Sequence, residues 1–388
     1  MDFSYSEEQE LLRNSLARFL ADNYTYEAFR RVSRGEPGWR PECWKQFAEM
    51  GLLGAALPEA YGGLGGGAVE TMIVMEAFGR ALVVEPYVPT VVVGGGLLRA
   101  GGSEAQKREW LPKIANGEAV FAFAFSEPQS RYNLADVATT GKKVGSGHVL
   151  TGQKSVVVGA PFADRLVVTA RTAGSRRDEN GISLFLIDKR SKGVSTRDYP
   201  TMDGLRASEI TFENVEVPGE SLLGEEDDGL PLIEQITDEA IAAHCAEALG
   251  AMRVLHESTI EYAKTRKQFG VPIGKFQALQ HRMADMFMQV EESASMTLMA
   301  TLKLGERPVE RKKAASAAKV KIGKAGRFVG QNAVQIHGGI GMTDELALGH
   351  YFKRITMIDA LYGNVDHHLK RYASLTRNGS RGDAEARS

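Results

Sequence analysis

The sequence predicts a mainly helical protein with a β domain in its middle. Long stretches at both ends carry apolar residues three or four apart, the spacing of one helix face. From Val120 the period changes to short runs rich in β-branched and aromatic residues, divided by turn signals. At 388 residues the chain is long enough for two or three domains with cores of their own. The expected division is a helical domain over 1–119, a mostly antiparallel β domain over 120–226 and a helical bundle of four helices over 227–374. The tail, 375–388, is small, polar and charged, and disorder is expected there.

Composition sets the class. The chain is 43% hydrophobic and 25% charged, as ordinary globular proteins are. Its formal net charge of −2 gives no reason to expect a nucleic acid or an anionic membrane as partner. The opening MDFSYSEEQELL is acidic and amphipathic, not a basic segment before an apolar one, so no signal peptide is read and a cytoplasmic location is expected. The apolar run from Val88 to Leu98 is about half a membrane span. Cys43 and Cys245 lack metal-ligand or redox-pair spacing and read as buried free thiols, and no metal site is expected.

The elements follow in order. Phe3, Leu11, Leu12, Leu16, Phe19 and Leu20 form the stripe of a first helix, and Trp44, Phe47, Met50, Leu52 and Leu53 form a second. LPEAYGGLGGG, residues 57–67, is glycine-rich but follows no strand of a βαβ unit, so it reads as a surface loop or packing turn. Ala68–Ala81 is helical again, and Val88–Leu98 suits a buried, closely packed helix. In 102–118, Ser103 is an N-cap with Gln106 three residues on, and Gly117 follows the end. FAFAF, HVLTGQKSVVVG, RLVVTART, ISLFLID and ASEITFENVEV are the strands. Helices return over Leu230–Ala263, Phe276–Leu304, Pro308–His337 and Asp344–Tyr372.

The stretch most informative about function is YAKTRKQFGVPIGKFQALQ, which begins at Tyr262. Gly270 and Pro272 interrupt the helical pattern there. Lys264, Arg266 and Lys267 read as cations at a helix C-terminus. The planar fork of Arg266 equally suits a phosphate or pyrophosphate. The stretch resembles the flavin-binding signature of the acyl-CoA dehydrogenase family. So do the YGGLG loop, EAQKREWLPKIANGE, the AFSEP of 124–128 and QNAVQIHGGIGMTDE of 331–345, and the resemblance covers nearly the whole chain.

That resemblance implies an FAD-dependent α,β-dehydrogenation of an acyl-CoA thioester. It implies that Arg266, with Phe269 nearby, reaches the FAD pyrophosphate of a neighbouring subunit. It assigns Gln335, Gly338 and Gly339 to the adenosine part of FAD, Ser126 to the flavin's pyrimidine end, and the backbone of Val156 to Val158 to the flavin's lining. Asp238 matches an Asp in the substrate pocket of relatives. Electron-transferring flavoprotein is the acceptor the family implies.

Two departures shape the expectation. After Glu127-Pro128 the chain reads Gln129-Ser130-Arg131-Tyr132-Asn133, and after Lys154 it has Ser155-Val156-Val157-Val158 where relatives carry an aromatic and a hydroxyl. These variants resemble the small-subunit branch typified by pimeloyl-CoA dehydrogenase. More important, both positions that hold the family's base glutamate are filled otherwise. Gly363 stands at one, nine residues after Arg354, and Ala240 stands at the other. Thioester dehydrogenation needs a base for the Cα proton, ordinarily a carboxylate in a dry pocket. Glu247 and Glu239 are the candidates in its place, with a solvated or ion-paired carboxylate as the plainer reading of each, and His244 reads as a packing residue. The leading expectation is therefore a subunit of a two-subunit α2β2 enzyme whose partner supplies the carboxylate. A homo-oligomeric dehydrogenase with an unusual base is the second, and a non-catalytic acyl-CoA-binding scaffold the third.

Overall fold

The computed structural model describes residues 4–385. Helices α1 (Glu7–Asn23), α2 (Tyr26–Arg34) and α3 (Pro41–Glu49) open the chain, and α4 (Ala68–Ala81) follows the glycine-rich loop. A wide-turned π-helix (Val88–Gly95) then runs into α5 (Gly96–Gly101), and α6 (Glu104–Ala115) comes next. Eight strands follow: β1 (Phe121–Ala124), β2 (Thr140–Val144), β3 (Gly147–Val158), β4 (Arg165–Arg171), β5 (Ile182–Asp188), β6 (Val194–Pro200), β7 (Arg206–Val217) and β8 (Leu222–Leu223). The 36-residue α7 (Leu230–Thr265) leads to a hairpin of β9 (Lys267–Gln268) and β10 (Val271–Pro272). Helices α8 (Gln277–Leu302), α9 (Pro308–His337), α10 (Leu348–Ala360) and α11 (Val365–Glu385) complete it.

The chain packs as two units. One unit comprises residues 32–67 and 84–240 and holds the sheet. Its strands run in the order β6-β7-β3-β2-β4-β5-β8, with β1 paired in parallel to β4 and nearly all other pairings antiparallel. Leu150, Leu166, Val168, Phe185, Ile210 and Phe212 are fully or almost fully buried and make its core. β6 is the exposed, charged edge, a composition that discourages further strand pairing. The α6 cap is as expected: Gln106 N donates to Ser103 Oγ, and Ser103 N to Gln106 Oε1.

The other unit comprises residues up to 31, 68–83 and 241 onward, and is wholly helical apart from the β9–β10 hairpin. In it α4 and α7 approach closely. A Cβ on Gly79 would lie 1.9 Å from the Glu247 carbonyl oxygen, and one on Gly250 2.0 Å from that of Glu76. Only glycine lets the two backbones meet there.

Two expectations are corrected. The last helix, expected unbroken over Asp344–Tyr372, is two helices separated at Leu361–Asn364, because Tyr362 and Gly363 take φ of +56° and +114°. The tail expected to be disordered is helical through Glu385, continuing a helix whose first turn is tied by Asn364 Oδ1 accepting from His367 N. Phe3 of the expected first stripe and residues 386–388 of the tail lie outside the described residues.

Candidate active site

Each unit carries its own share of the site residues. In the sheet unit, Ser126 follows β1 and its carbonyl accepts from Ser155 N at 2.8 Å, which fixes the chain beside β3. The β3–β7 register shifts between Lys154 and Val157, a bulge. Val156 sits in it at φ +53° with 45% of its surface exposed. A β-branched residue in that conformation is strained, and such strain concentrates at working surfaces. Val158, two residues on, is half-buried.

Beneath the bulge lies a buried ion pair. Lys154 Nζ donates to Glu127 Oε1 at 2.7 Å and to Thr169 Oγ1 at 2.8 Å. Glu127 also accepts from Gln129 Nε2 and from the Ala138 and Thr139 amides. Burial pushes the Glu127 carboxyl up, but Lys154 and these donors more than offset it and hold it below its usual value. The pair anchors the departing loop 127–139 to the strand that carries the bulge. Sequence reading missed a second feature. Val156 N and Tyr199 OH both donate to Glu209 Oε1, at 3.3 and 2.8 Å, and burial and that carboxylate raise the Tyr199 phenol to about 12. Sheet pairing brings these groups together, so no local signal announces them.

In the helical unit, Arg266 stands between the end of α7 and the β9–β10 hairpin, whose turn is Phe269-Gly270. Both turn residues have positive φ, +51° and +81°, the requirement of a tight two-residue hairpin turn. Glycine meets it freely and phenylalanine does not, yet Phe269 is 93% exposed. Arg266 is exposed beside it. At the end of α9, Gln335, Gly338 and Gly339 are exposed too. Gly338 has φ +66° and ψ −142°, and a Cβ on either glycine would meet nothing within 4 Å. Internal packing therefore does not account for these glycines, whereas a ligand lying close to the backbone would. Tyr262 joins the two segments. Its ring stacks on His337 at 4.3 Å and its hydroxyl donates to the His337 carbonyl at 3.3 Å. An outward guanidinium, an outward amide and an open glycine turn form a donor set that fits a dinucleotide phosphate backbone.

The candidate bases are placed as follows. Glu247 is 4% exposed. Its Oε1 accepts from Arg354 Nη1 at 2.8 Å and its Oε2 lies 2.9 Å from His244 Nδ1. Burial raises this carboxyl, but Arg354 and His244 outweigh it and hold it below the usual value, opposite to what a carboxylate base needs. Glu239 is bound to Arg99 at 2.6 Å in the sheet unit. Both candidates are thus committed to arginines. Asp238, on α7, is fully buried.

At Gly363 no side chain fits. A Cβ would lie 2.5 Å from the His367 ring and 2.7 Å from His368 Nε2, on a backbone at φ +114°. The turn is clamped by Lys319, fully buried, whose Nζ donates to the carbonyls of Ile358, Asp359, Leu361 and Gly363. His368 Nε2 bonds the Tyr362 carbonyl at 3.1 Å while its Nδ1 meets Ser316 Oγ at 3.2 Å. Burial and then Lys319 push that imidazole down to about 3, so it stays neutral. Sequence reading singled out Gly363; it missed Lys319 and His368, which pack against this turn.

Family models match the chain along nearly its whole length: the N-terminal domain of acyl-CoA dehydrogenases over residues 6–118, the middle domain over 122–215 and the C-terminal domain over 227–374. Among curated relatives, the probable acyl-CoA dehydrogenase YngJ of Bacillus subtilis is 31% identical over 351 residues, 89% of this chain and 91% of that one. Among solved structures, a Tcur3481–Tcur3483 steroid ACAD variant superposes with a TM-score of 0.88 at 29% identity, covering 97% of this chain and 99% of the other. The ChsE4–ChsE5 complex from Mycobacterium tuberculosis gives 0.87 at 26% identity, with 96% and 98% covered.

Proposed function

The chain belongs to the acyl-CoA dehydrogenase family, and from that premise we propose that it is one subunit of a two-component, FAD-dependent acyl-CoA dehydrogenase whose partner carries the carboxylate base. The Gly363 turn is the observation that carries this reading. Its backbone conformation and the two histidine rings leave no room for a glutamate there, and Glu247 and Glu239 are tied to arginines. Two structures that this chain resembles are named as pairs, Tcur3481–Tcur3483 and ChsE4–ChsE5, which supports a second, different subunit. The Gln129–Asn133 and Ser155–Val158 variants are in keeping with a small-subunit branch.

In this reading Arg266, Phe269, Gln335, Gly338 and Gly339 hold the pyrophosphate and adenosine ends of FAD across the subunit interface. Ser126 and the Val156–Val158 backbone line the flavin ring. FAD, when bound, supplies the acceptor for the hydride from Cβ. Asp238 lies at the acyl pocket, and electron-transferring flavoprotein takes the electrons. Phe269, almost wholly bare in the single chain, is covered in the assembly.

The test is flavin occupancy. The chain is purified alone and together with a base-bearing acyl-CoA dehydrogenase subunit from the same source, and absorption spectra are recorded before and after anaerobic addition of acyl-CoAs. The expected result is stoichiometric flavin only in the mixed assembly, bleached by an acyl-CoA. A chain that forms a flavin-saturated homo-oligomer and ignores the second subunit overturns the proposal.

A further inference from the structure

We propose that His244, held by Glu247, is a second proton acceptor, serving an acyl site of this chain separate from its partner's. The inference rests on the chain acting in acyl-CoA dehydrogenation.

Glu247 and His244 form a carboxylate–imidazole dyad across one turn of α7. Arg354 grips the other carboxylate oxygen, and Glu247 stays anionic. An anionic acceptor at Nδ1 selects the tautomer with the proton on Nδ1 and leaves the lone pair on Nε2. Nε2 makes no hydrogen bond among the described residues, and the side chain keeps a narrow 8% exposure. Its ring centroid lies 5.9 Å from that of Tyr362, the residue that precedes Gly363. It is also one helical turn, about 6 Å, beyond Ala240 on the same face of α7. The imidazole therefore lies near the ring of the residue beside Gly363 and one turn along α7 from Ala240.

The chemistry balances. Nε2 would take the Cα proton of the thioester while the electron pair of that C–H bond becomes the new C=C bond, and FAD, when bound, would supply the acceptor for the hydride that leaves Cβ. The imidazolium then returns its proton to water. Imidazole suits proton abstraction near neutrality, and a carboxylate beside it stabilises the cation that forms.

Proton abstraction can be read without dehydrogenation. A 3-thiaacyl-CoA cannot be dehydrogenated at the sulfur position, but its Cα proton still exchanges with deuterium when a base reaches it. Exchange is followed by NMR with the chain paired to a partner whose base glutamate is replaced by glutamine. Residual exchange is expected, falling about 100-fold on His244→Gln, in line with loss of a general base. Exchange that vanishes with the partner's glutamate, or survives His244→Gln, overturns the proposal and leaves the two-component assembly untouched. Should His244→Gln fail to fold, nitrogen-15 spectra of the wild-type chain decide: Nδ1 protonated, with Nε2 shifting on analogue binding, is expected. A proton resident on Nε2 overturns it.

Discussion

Lys319 Nζ donates to the Gly363 carbonyl at 3.0 Å, and the same ammonium serves the carbonyls of Ile358, Asp359 and Leu361. One buried cation thus terminates α10 and sets the turn before α11. Helix C-terminal carbonyls lack intrahelical donors and carry partial negative charge, so a cation is well matched to them. Lys319→Met keeps the stem and removes the donors. It should cost about 3–5 kcal/mol, the range for stripping a buried charged partner. Urea unfolding of the single variant checks it. A loss under about 1 kcal/mol would mean that water replaces the ammonium readily.

Gly363→Ala tests the closure from the other side. The new methyl group would press on both histidine rings while the backbone stays in a region L residues rarely adopt. A loss of about 2–4 kcal/mol is expected from strain and overpacking together. Gly363→Glu should be worse, and should not give a chain that bleaches flavin by itself. A folded Gly363→Glu chain that does so would show that the turn opens easily.

The outer framework is legible in the sequence because its signals are local. Ser103 and Gln106 are three residues apart and cap α6 as read. The run Pro308–His337 has the extent its apolar spacing and flanking residues predict. The Gly363 turn is not legible this way. Apolar periodicity runs straight through 344–372, and the break depends on Lys319, 44 residues upstream. The same holds for Glu247. An acid in the apolar stretch AAHCAEALGAM is visibly paired or shifted, but only the fold names Arg354, 107 residues away, as its partner. Tyr199 and Glu209 are brought to Val156 by strand pairing alone.

The Glu247–Arg354 pair is open to a double-mutant cycle. Arg354→Met leaves a buried carboxylate with only His244, and Glu247→Gln leaves a buried guanidinium, so each should cost about 3–5 kcal/mol. The double substitution should cost distinctly less than their sum, because a neutral pair needs no compensation. Additive losses in denaturant titration would mean the two charges are stabilised independently.

Acid stability should depend on Asp136. Hydrogen bonds from Arg176, then Arg177, lower its carboxyl from 3.8 to about 2. A depressed carboxyl binds fewer protons folded than unfolded, so its contribution is fully present above about pH 4 and is lost as pH falls through about 2. Asp136→Asn should lower stability at neutral pH and flatten the decline between pH 4 and 2. The check is unfolding followed over that range for both chains. Parallel curves would mean the arginines leave Asp136 too well hydrated to matter.

Phe269 and Arg266 make opposite demands on the hairpin. Phe269 holds φ +51° with its ring in solvent, a cost to the isolated chain that the proposed assembly would repay. Phe269→Asn, which tolerates that conformation, should stabilise the lone chain by about 1 kcal/mol and weaken assembly with the partner. Arg266→Lys should leave the lone chain's stability within about 0.5 kcal/mol, because the side chain is exposed. If Arg266 holds the pyrophosphate as proposed, the change should nevertheless lower flavin affinity about tenfold or more, because an ammonium cannot reproduce a bidentate fork. Thermal unfolding of the lone chain, set beside flavin titration of the assembly, separates the two effects. An Arg266→Lys assembly with unchanged flavin affinity would place the pyrophosphate elsewhere.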